Sequence, residues 1–461
     1  MSKGLKLGTE RIGPLFIKMA LPSVIAMVVN GLYYMIDTVF VGRGVGVHAL
    51  GGLAIVFPIQ VLIIAIGAMI GLGTASIVSR RLGGNDTAGA KTAAGNAVAL
   101  AIIVGIGLAL TLGLTATPLL RGLGATAANI EYGGSYLSTL LYGFVFVFLS
   151  FVGVHLVRAE GNAILAMIGM ILGAVINAAL DPLFIFVMGM GVEGAALATV
   201  IARLICTLLY ATVFFRGGSL LQFSLKHLRL RFRVVREIVA LGMGSFLSQL
   251  SLSLLALVMN LSLRHYGNEL HMSLYGVLGR ILIFVNMPIL GLAQGLQPIV
   301  GFNYGARKLD RVKHALVVST FASIGVGSAI CAFLNGVPRA VLGVFTNSPE
   351  LLATGIGPLR ITTMLLPLIG IQIIAFSYFQ ALGKPFAALI TSLSREFLIL
   401  VPLLLFLPLV LGLHGVWIAY PIADALSVVS CLIWMRWQQR KLSEQIAFRT
   451  RKAAFSRSIA N

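Results

Sequence analysis

Charge is what this chain has least of. Lysine, arginine, aspartate and glutamate together make up 10% of its 461 residues, where a soluble domain carries about 25%. Acids are the scarcest, 14 against 34 Lys and Arg. With 58% hydrophobic residues and a mean hydropathy of +0.99, the sequence excludes a soluble globular domain and reads as a polytopic membrane protein. The three cysteines, Cys206, Cys331 and Cys431, all fall in apolar runs. They make neither a disulfide framework nor a metal-ligand pattern. The 7 histidines are scattered. No Walker A run, HExxH motif or Ser/His/Asp grouping occurs, which excludes ATP hydrolysis and argues against an enzyme or a resident cofactor. The period-2 alternation of a barrel is missing as well. A cleavable signal is not expected: residues 1–13 are polar and basic, and the first apolar run is long enough to span.

What the chain does have is apolar length. Twelve runs match a hydrocarbon core of about 30 Å, near residues 14–38, 47–74, 92–115, 133–156, 163–188, 193–214, 238–262, 272–300, 315–337, 356–381, 387–411 and 415–437. The predicted fold class is therefore an all-α membrane protein of twelve transmembrane helices. The net charge of +20 would suit nucleic acid, but its placement does not. With the N-terminus inside, inner segments hold 25 of the 34 Lys and Arg, and outer loops hold only Arg43, Arg121, Arg264 and Arg339. That asymmetry predicts both termini in the cytoplasm. It assigns the basic residues to topology and anionic-lipid contacts.

The chain also repeats itself. Arg158-Ala159-Glu160-Gly161-Asn162 matches Gln380-Ala381-Leu382-Gly383-Lys384, and Gly83-Gly84 with Lys91 matches Gly305-Ala306 with Lys313, both at a spacing of 222. Gly191-Val192-Glu193-Gly194 matches Gly412-Leu413-His414-Gly415 at 221. Half the chain is one unit of six helices, so the two units are parallel repeats about an axis along the membrane normal. The predicted organisation is an N-lobe over 1–216, a linker over 217–237, a C-lobe over 238–440 and a basic tail over 441–461. Two bundles on a basic linker suit alternating access, and 52 glycines allow close helix packing.

Few polar residues interrupt the spans. In the fifth, Asn177 and Asp181 are four residues apart and share a helical face. Pro182 cannot donate to the helix ladder, which leaves the Ala178 carbonyl loose. An acid at the bilayer centre costs about 2.5–3.5 kcal/mol and so points to a partner, a cavity or an ion. Carboxylate, amide and carbonyl on one face suit a proton or a small cation. Asp37 is expected to end the first span, about four turns after the hinge-forming Pro22. If Asp37 and Asp181 share a cavity, repulsion and burial raise at least one pKa. The second half has Gly244 and Met259 where the first has Pro22 and Asp37. Thr199, in the sixth span, reads by itself as a hydroxyl bonded back to its own helix. Arg203 and Asp424 match in the repeat and either pair across the lobes or lie by cavity water. Arg280 and Arg395-Glu396 read as lobe-stabilising or cavity-lining groups, and Tyr33 and Gln249 as further polar groups of the cavity.

Twelve spans in two parallel halves, Pro22 with Asp37-Thr38-Val39-Phe40-Val41-Gly42, and Asn177-Ala178-Ala179-Leu180-Asp181-Pro182-Leu183-Phe184 resemble the MATE (multidrug and toxic compound extrusion) transporters over nearly the whole chain. Gly305-Ala306-Arg307 and Gln380-Ala381-Leu382-Gly383 fit as well. The resemblance is to the prokaryotic branch with an N-lobe cation site. It implies coupling ligands at Asp37, Asn177, Asp181 and Thr199, with the Ala195 carbonyl, for H⁺ or Na⁺, and hinges at Pro22 and Pro182. No acid occurs from Leu241 to Leu263 or from Ile361 to Leu382, where another branch places its ligands. The resemblance implies a monomeric antiporter in a bacterial inner membrane, exporting amphiphilic, often cationic small molecules. The runner-up is a flippase for a lipid-linked precursor of the same superfamily.

Overall fold

The computed structural model describes residues 3–44, 47–127, 129–216, 219–222 and 224–460, with side chains from residue 6 onward except at 34–39, 41–50, 225, 442, 443 and beyond 444. Among these, every regular element is helical. Ten helices are long and apolar enough to cross a bilayer alone, and two bent pairs raise the number to twelve. The first three spans are Ile12–Gly44, Val47–Gly83 and Thr87–Gly122. Each outruns its predicted apolar run. The helices continue past the hydrocarbon edge, where a hydropathy count stops, to Arg80 and Arg81, which are half-buried, and to Arg121, which is exposed.

The fourth span is Ile130–Leu141 and Phe144–Ala159, bent by 57°, and the tenth is Pro349–Thr363 and Leu366–Ala381, bent by 46°. The two breaks lie at the repeat spacing. Gly143 stands in one and Pro367 just beyond the other, both kink-formers. The fifth span is Ala163–Pro182 continued by a π-helical turn, Leu183–Val187, and the sixth is Gly191–Phe215. The seventh to ninth are Phe232–Tyr266, Glu269–Gly305 and Leu309–Gly336. The eleventh joins Pro385–Leu393, a π-helical turn Ser394–Leu400 and Val401–Leu411; the twelfth is Leu413–Ala460.

Two boundaries differ from expectation. The seventh helix starts at Phe232, inside the predicted linker, because the Asn96 side-chain Oδ1 of the third span accepts the Arg231 N–H at 2.6 Å and pins the chain there. The last helix runs through the predicted tail to Ala460, since no glycine or proline follows Pro421 to stop it.

The repeat is geometric as well as sequential. Left-handed residues recur at its spacing: Asn85 and Arg307 at φ +59°, Gly161 and Gly383 at +89° and +72°, Gly191 and Gly412 at +56° and +55°. The second span packs on the seventh and the first on the eighth. A Cβ on Gly83 would strike the Phe302 carbonyl, and one on Gly305 would strike the Arg80 carbonyl. These reciprocal collisions are the twofold written in backbone. Gly73 against Ile238 and Gly295 against Ala20 repeat the pattern. All four lie toward the membrane face that carries the chain termini, so the lobes are sealed there.

Each lobe's leading helix begins packed on the other lobe. Leu7, Ile12, Leu15, Phe16, Met19 and Ala20 share a core with Leu296, Val300 and Tyr378, while Val234, Ile238 and Leu241 join the N-lobe core. Apolar burial at about 25 cal/mol per Å² does not drive association within lipid; close packing does, and small residues at these crossings permit it.

Candidate functional site

The fifth helix presents Asn177 and Asp181 on one face, as their spacing predicts, and the side chains are 2% and 0% exposed. Burial is supplied by the first span, which packs along the fifth, and by the sixth. The T-shaped contact of Phe40 on Phe186, centroids 6.5 Å apart, holds the first span to the π-helical turn just after Pro182. That turn begins where the proline interrupts the ladder, and the Met188 N–H reaches the Leu183 carbonyl at 2.9 Å.

The Asn177 amide faces two sets of partners. On one side are the Thr199 hydroxyl at 3.2 Å and the Thr199 N–H at 3.1 Å; on the other are Asp181 Oδ2 at 2.8 Å and the Tyr33 hydroxyl at 3.2 Å. A carboxylate only accepts and a backbone N–H only donates. With Asp181 ionised, the amide nitrogen therefore donates to Asp181 and Tyr33, and the amide oxygen accepts from Thr199. The Thr199 N–H serves the amide oxygen, and the single Thr199 hydroxyl proton goes to the Ala195 carbonyl at 3.2 Å. Tyr33, Asn177, Asp181, Thr199 and Ala195 thus form one oxygen-rich group drawn from three helices, buried at Asn177, Asp181 and Ala195 and half-buried at Tyr33 and Thr199. Such a donor set suits a proton or a hard monovalent cation, which take carboxylate, hydroxyl and carbonyl oxygens.

Asp37 does not end its helix, which runs on to Gly44. Its side chain lies outside the described ones. Pro22 sits inside the same helix, which packs on the C-lobe on both sides of it, through Ala20 before and through Val24, Met27 and Gly31 after.

The remaining expectations divide. Asp424 does not pair with Arg203. Arg395, from the π-helical turn of the eleventh span, takes Asp424 Oδ1 at 2.5 Å and Glu396 at 3.2 Å. Arg203 instead lies 5.9 Å from the Phe151 ring centroid. Both residues stay within their own lobes: the eleventh span is the nearer neighbour of the twelfth, and a buried acid with a guanidinium in reach needs no cross-lobe partner. Gln249 is half-buried in the seventh span and Arg280 is exposed on the eighth, so neither joins the Asn177 group. Among the described residues no cluster of three His, Cys, Asp or Glu occurs.

Sequence reasoning missed three contacts. Tyr33 belongs to the Asn177 group, on whose amide its hydroxyl lies at 3.2 Å. Asn96 holds the linker, donating to the His227 and Arg229 carbonyls at 3.2 Å; an amide in an apolar run was the available signal, as it was for Asn177. Glu237 bridges the lobes to Arg80 at 3.1 Å and Arg81 at 3.7 Å, a pairing that no local pattern encodes.

The whole chain has relatives with this organisation. A multidrug export protein MepA from Staphylococcus haemolyticus (strain JCSC1435) is 29% identical over 399 residues, spanning 86% of this chain and 87% of the relative. MepA from Staphylococcus aureus (strain MSSA476) is 27% identical over 419 residues, 90% of this chain and 91% of the relative. The outward-facing conformation of a multidrug resistance MATE family transporter of the MOP superfamily superimposes with a TM-score of 0.92 at 28% identity, covering 96% of this chain and 99% of that one. The MatE family itself matches twice, at residues 22–183 and 245–406, once in each lobe and with Asn177 and Asp181 inside the first match. On that doubled match, and on a multi-pass helical fold shared from end to end, this chain is a member of the MATE family of transporters.

Proposed function

We propose that the protein is a secondary active exporter of amphiphilic, often cationic small molecules, driven by inward movement of H⁺ or Na⁺ through the Asp181 site. The MepA relatives are multidrug export proteins by name. The observation that carries the coupling is the double-faced Asn177 amide. An ionised Asp181 is satisfied by the amide nitrogen. A protonated Asp181, or a cation beside it, needs an acceptor there instead and favours the amide turned over. Loading the site therefore disturbs Tyr33 and Thr199 at once.

Tyr33 lies on the helix whose opposite end is built into the C-lobe core. A change at Asp181 is thus delivered to the lobe contact along one helix, which lies on the C-lobe both before and after its internal proline. Ion and drug need only favour different lobe arrangements to exchange. One inward charge supplies about 2.3 kcal/mol per 100 mV, enough for roughly fiftyfold accumulation of a neutral cargo. The bacterial relatives and the basic excess on the termini side support an inner-membrane location with both termini cytoplasmic.

The test is dye uptake into everted vesicles under imposed pH or Na⁺ gradients. Wild type is expected to accumulate a cationic dye, and the gradient that drives it names the ion. Asp181→Asn, which keeps shape but loses the charge, is expected to lose gradient-driven uptake. Equal uptake by both would remove Asp181 from the coupling.

A further inference from the structure

On the termini side of the membrane, a cleft of about 600 Å³ lies between the start of the third span and the linker. Its wall carries Arg81, Lys226, His227, Arg231 and Arg233, with Asp86 as the single acid. Asp86 is already engaged, since its carboxylate accepts the Gly89 N–H at 2.8 Å as a helix cap. Arg81 is shared with the Gly89 carbonyl at 2.8 Å and with Glu237. Among the described residues Lys226, Arg231 and Arg233 form no ion pair. The cleft therefore gathers Arg81, Lys226, Arg231 and Arg233 around a space whose one acid, Asp86, is taken up in capping the helix that starts there.

We propose that this cleft binds the headgroup of an anionic phospholipid. The linker argues for a lipid over a soluble phosphate. Its arginines alternate with apolar side chains, and of these Leu230 is 42% and Phe232 81% exposed. Large apolar groups standing out beside a basic pocket at a membrane surface match acyl chain and headgroup together. The site lies at the joint between lobes. Asn96 ties the linker to the N-lobe, and Arg81 reaches Glu237 of the seventh span, so a bound headgroup would fasten linker to lobe where the halves move. The inference does not depend on which ion uses Asp181.

The full-length protein is reconstituted in phosphatidylcholine vesicles containing phosphatidylglycerol, extracted gently, and its retained lipid counted by native mass spectrometry. Wild type is expected to retain phosphatidylglycerol over phosphatidylcholine. The triple variant Lys226→Gln, Arg231→Gln, Arg233→Gln is expected to lose retention on the order of a hundredfold, at about fivefold per basic residue. Exchanging the same positions as Lys226→Arg, Arg231→Lys and Arg233→Lys should preserve it, as should Arg121→Gln at the far end of the third span. Undiminished retention in the Gln triple variant overturns the proposal. Displacement of the lipid from wild type by inorganic phosphate alone also overturns it, leaving a site for a soluble phosphate.

Discussion

At the scale of single residues, the Asn177 group can be dissected by its hydrogen bonds. Thr199→Ala removes a hydroxyl worth about 0.5–1.5 kcal/mol. It is expected to raise the ion concentration that half-saturates transport by roughly two- to tenfold, while Thr199→Ser leaves it near wild type. Tyr33→Phe should act in the same direction through its 3.2 Å contact with Asn177. Initial-rate transport against pH or Na⁺ reads both. The Arg395–Asp424 pair makes a different prediction. Asp424 is 0% exposed, so Asp424→Asn leaves the buried guanidinium with Glu396 alone and is expected to cost less than the about 3–5 kcal/mol of a fully broken buried pair. Thermal unfolding in detergent should show a clear loss, and adding Arg395→Met should recover part of it. The Asn177–Asp181 spacing was legible in sequence because both partners sit on one helix. The Arg395–Asp424 pair was not, because its members are separated by a loop and chosen by packing.

Among the elements, the first helix has the most to carry. It lies in the C-lobe core from Ile12 to Ala20, passes Pro22, and meets the fifth span through Phe40. Its neighbours are held at backbone distance by glycine. Gly83→Ala or Gly305→Ala would place a methyl group against a carbonyl of the facing helix. Backbone cannot yield as a side chain can, so either variant is expected to force the termini-side seal apart and sharply reduce transport. Labelling of a cysteine introduced at that seal should rise above wild type. Gly107→Ala, where nothing stands within 4 Å, should leave both labelling and transport unchanged.

For the whole molecule, the lobes are joined on one side by small-residue contacts and by Glu237 bridging Arg80 and Arg81. These groups are partly exposed, so the bridge contributes at most about 1 kcal/mol. Glu237→Gln is expected to shift the lobe equilibrium by no more than about fivefold, toward the state open on the termini side. Distance distributions between spin labels on the two lobes measure that shift. The topology carries its own test: a reporter active only in the cytoplasm, fused after residue 461, should be active, and should stay so when the four outer-loop arginines are replaced.

The membrane class, the twelve spans, the two-lobe repeat and the Asn177–Asp181 face follow from sequence by itself. Each rests on composition or on a spacing within one or two helices, and lipid forces backbone groups to be satisfied inside the helix that carries them. Only the tertiary structure decided that Tyr33 and Thr199 complete the Asn177 group, that Asp424 turns to Arg395, that the first and seventh helices begin in each other's lobes, and that linker arginines gather into a cleft. Those outcomes depend on which helix faces which. Within a bilayer that choice is made by close packing of small residues rather than by a hydrophobic pattern, so a pattern in one chain segment does not record it.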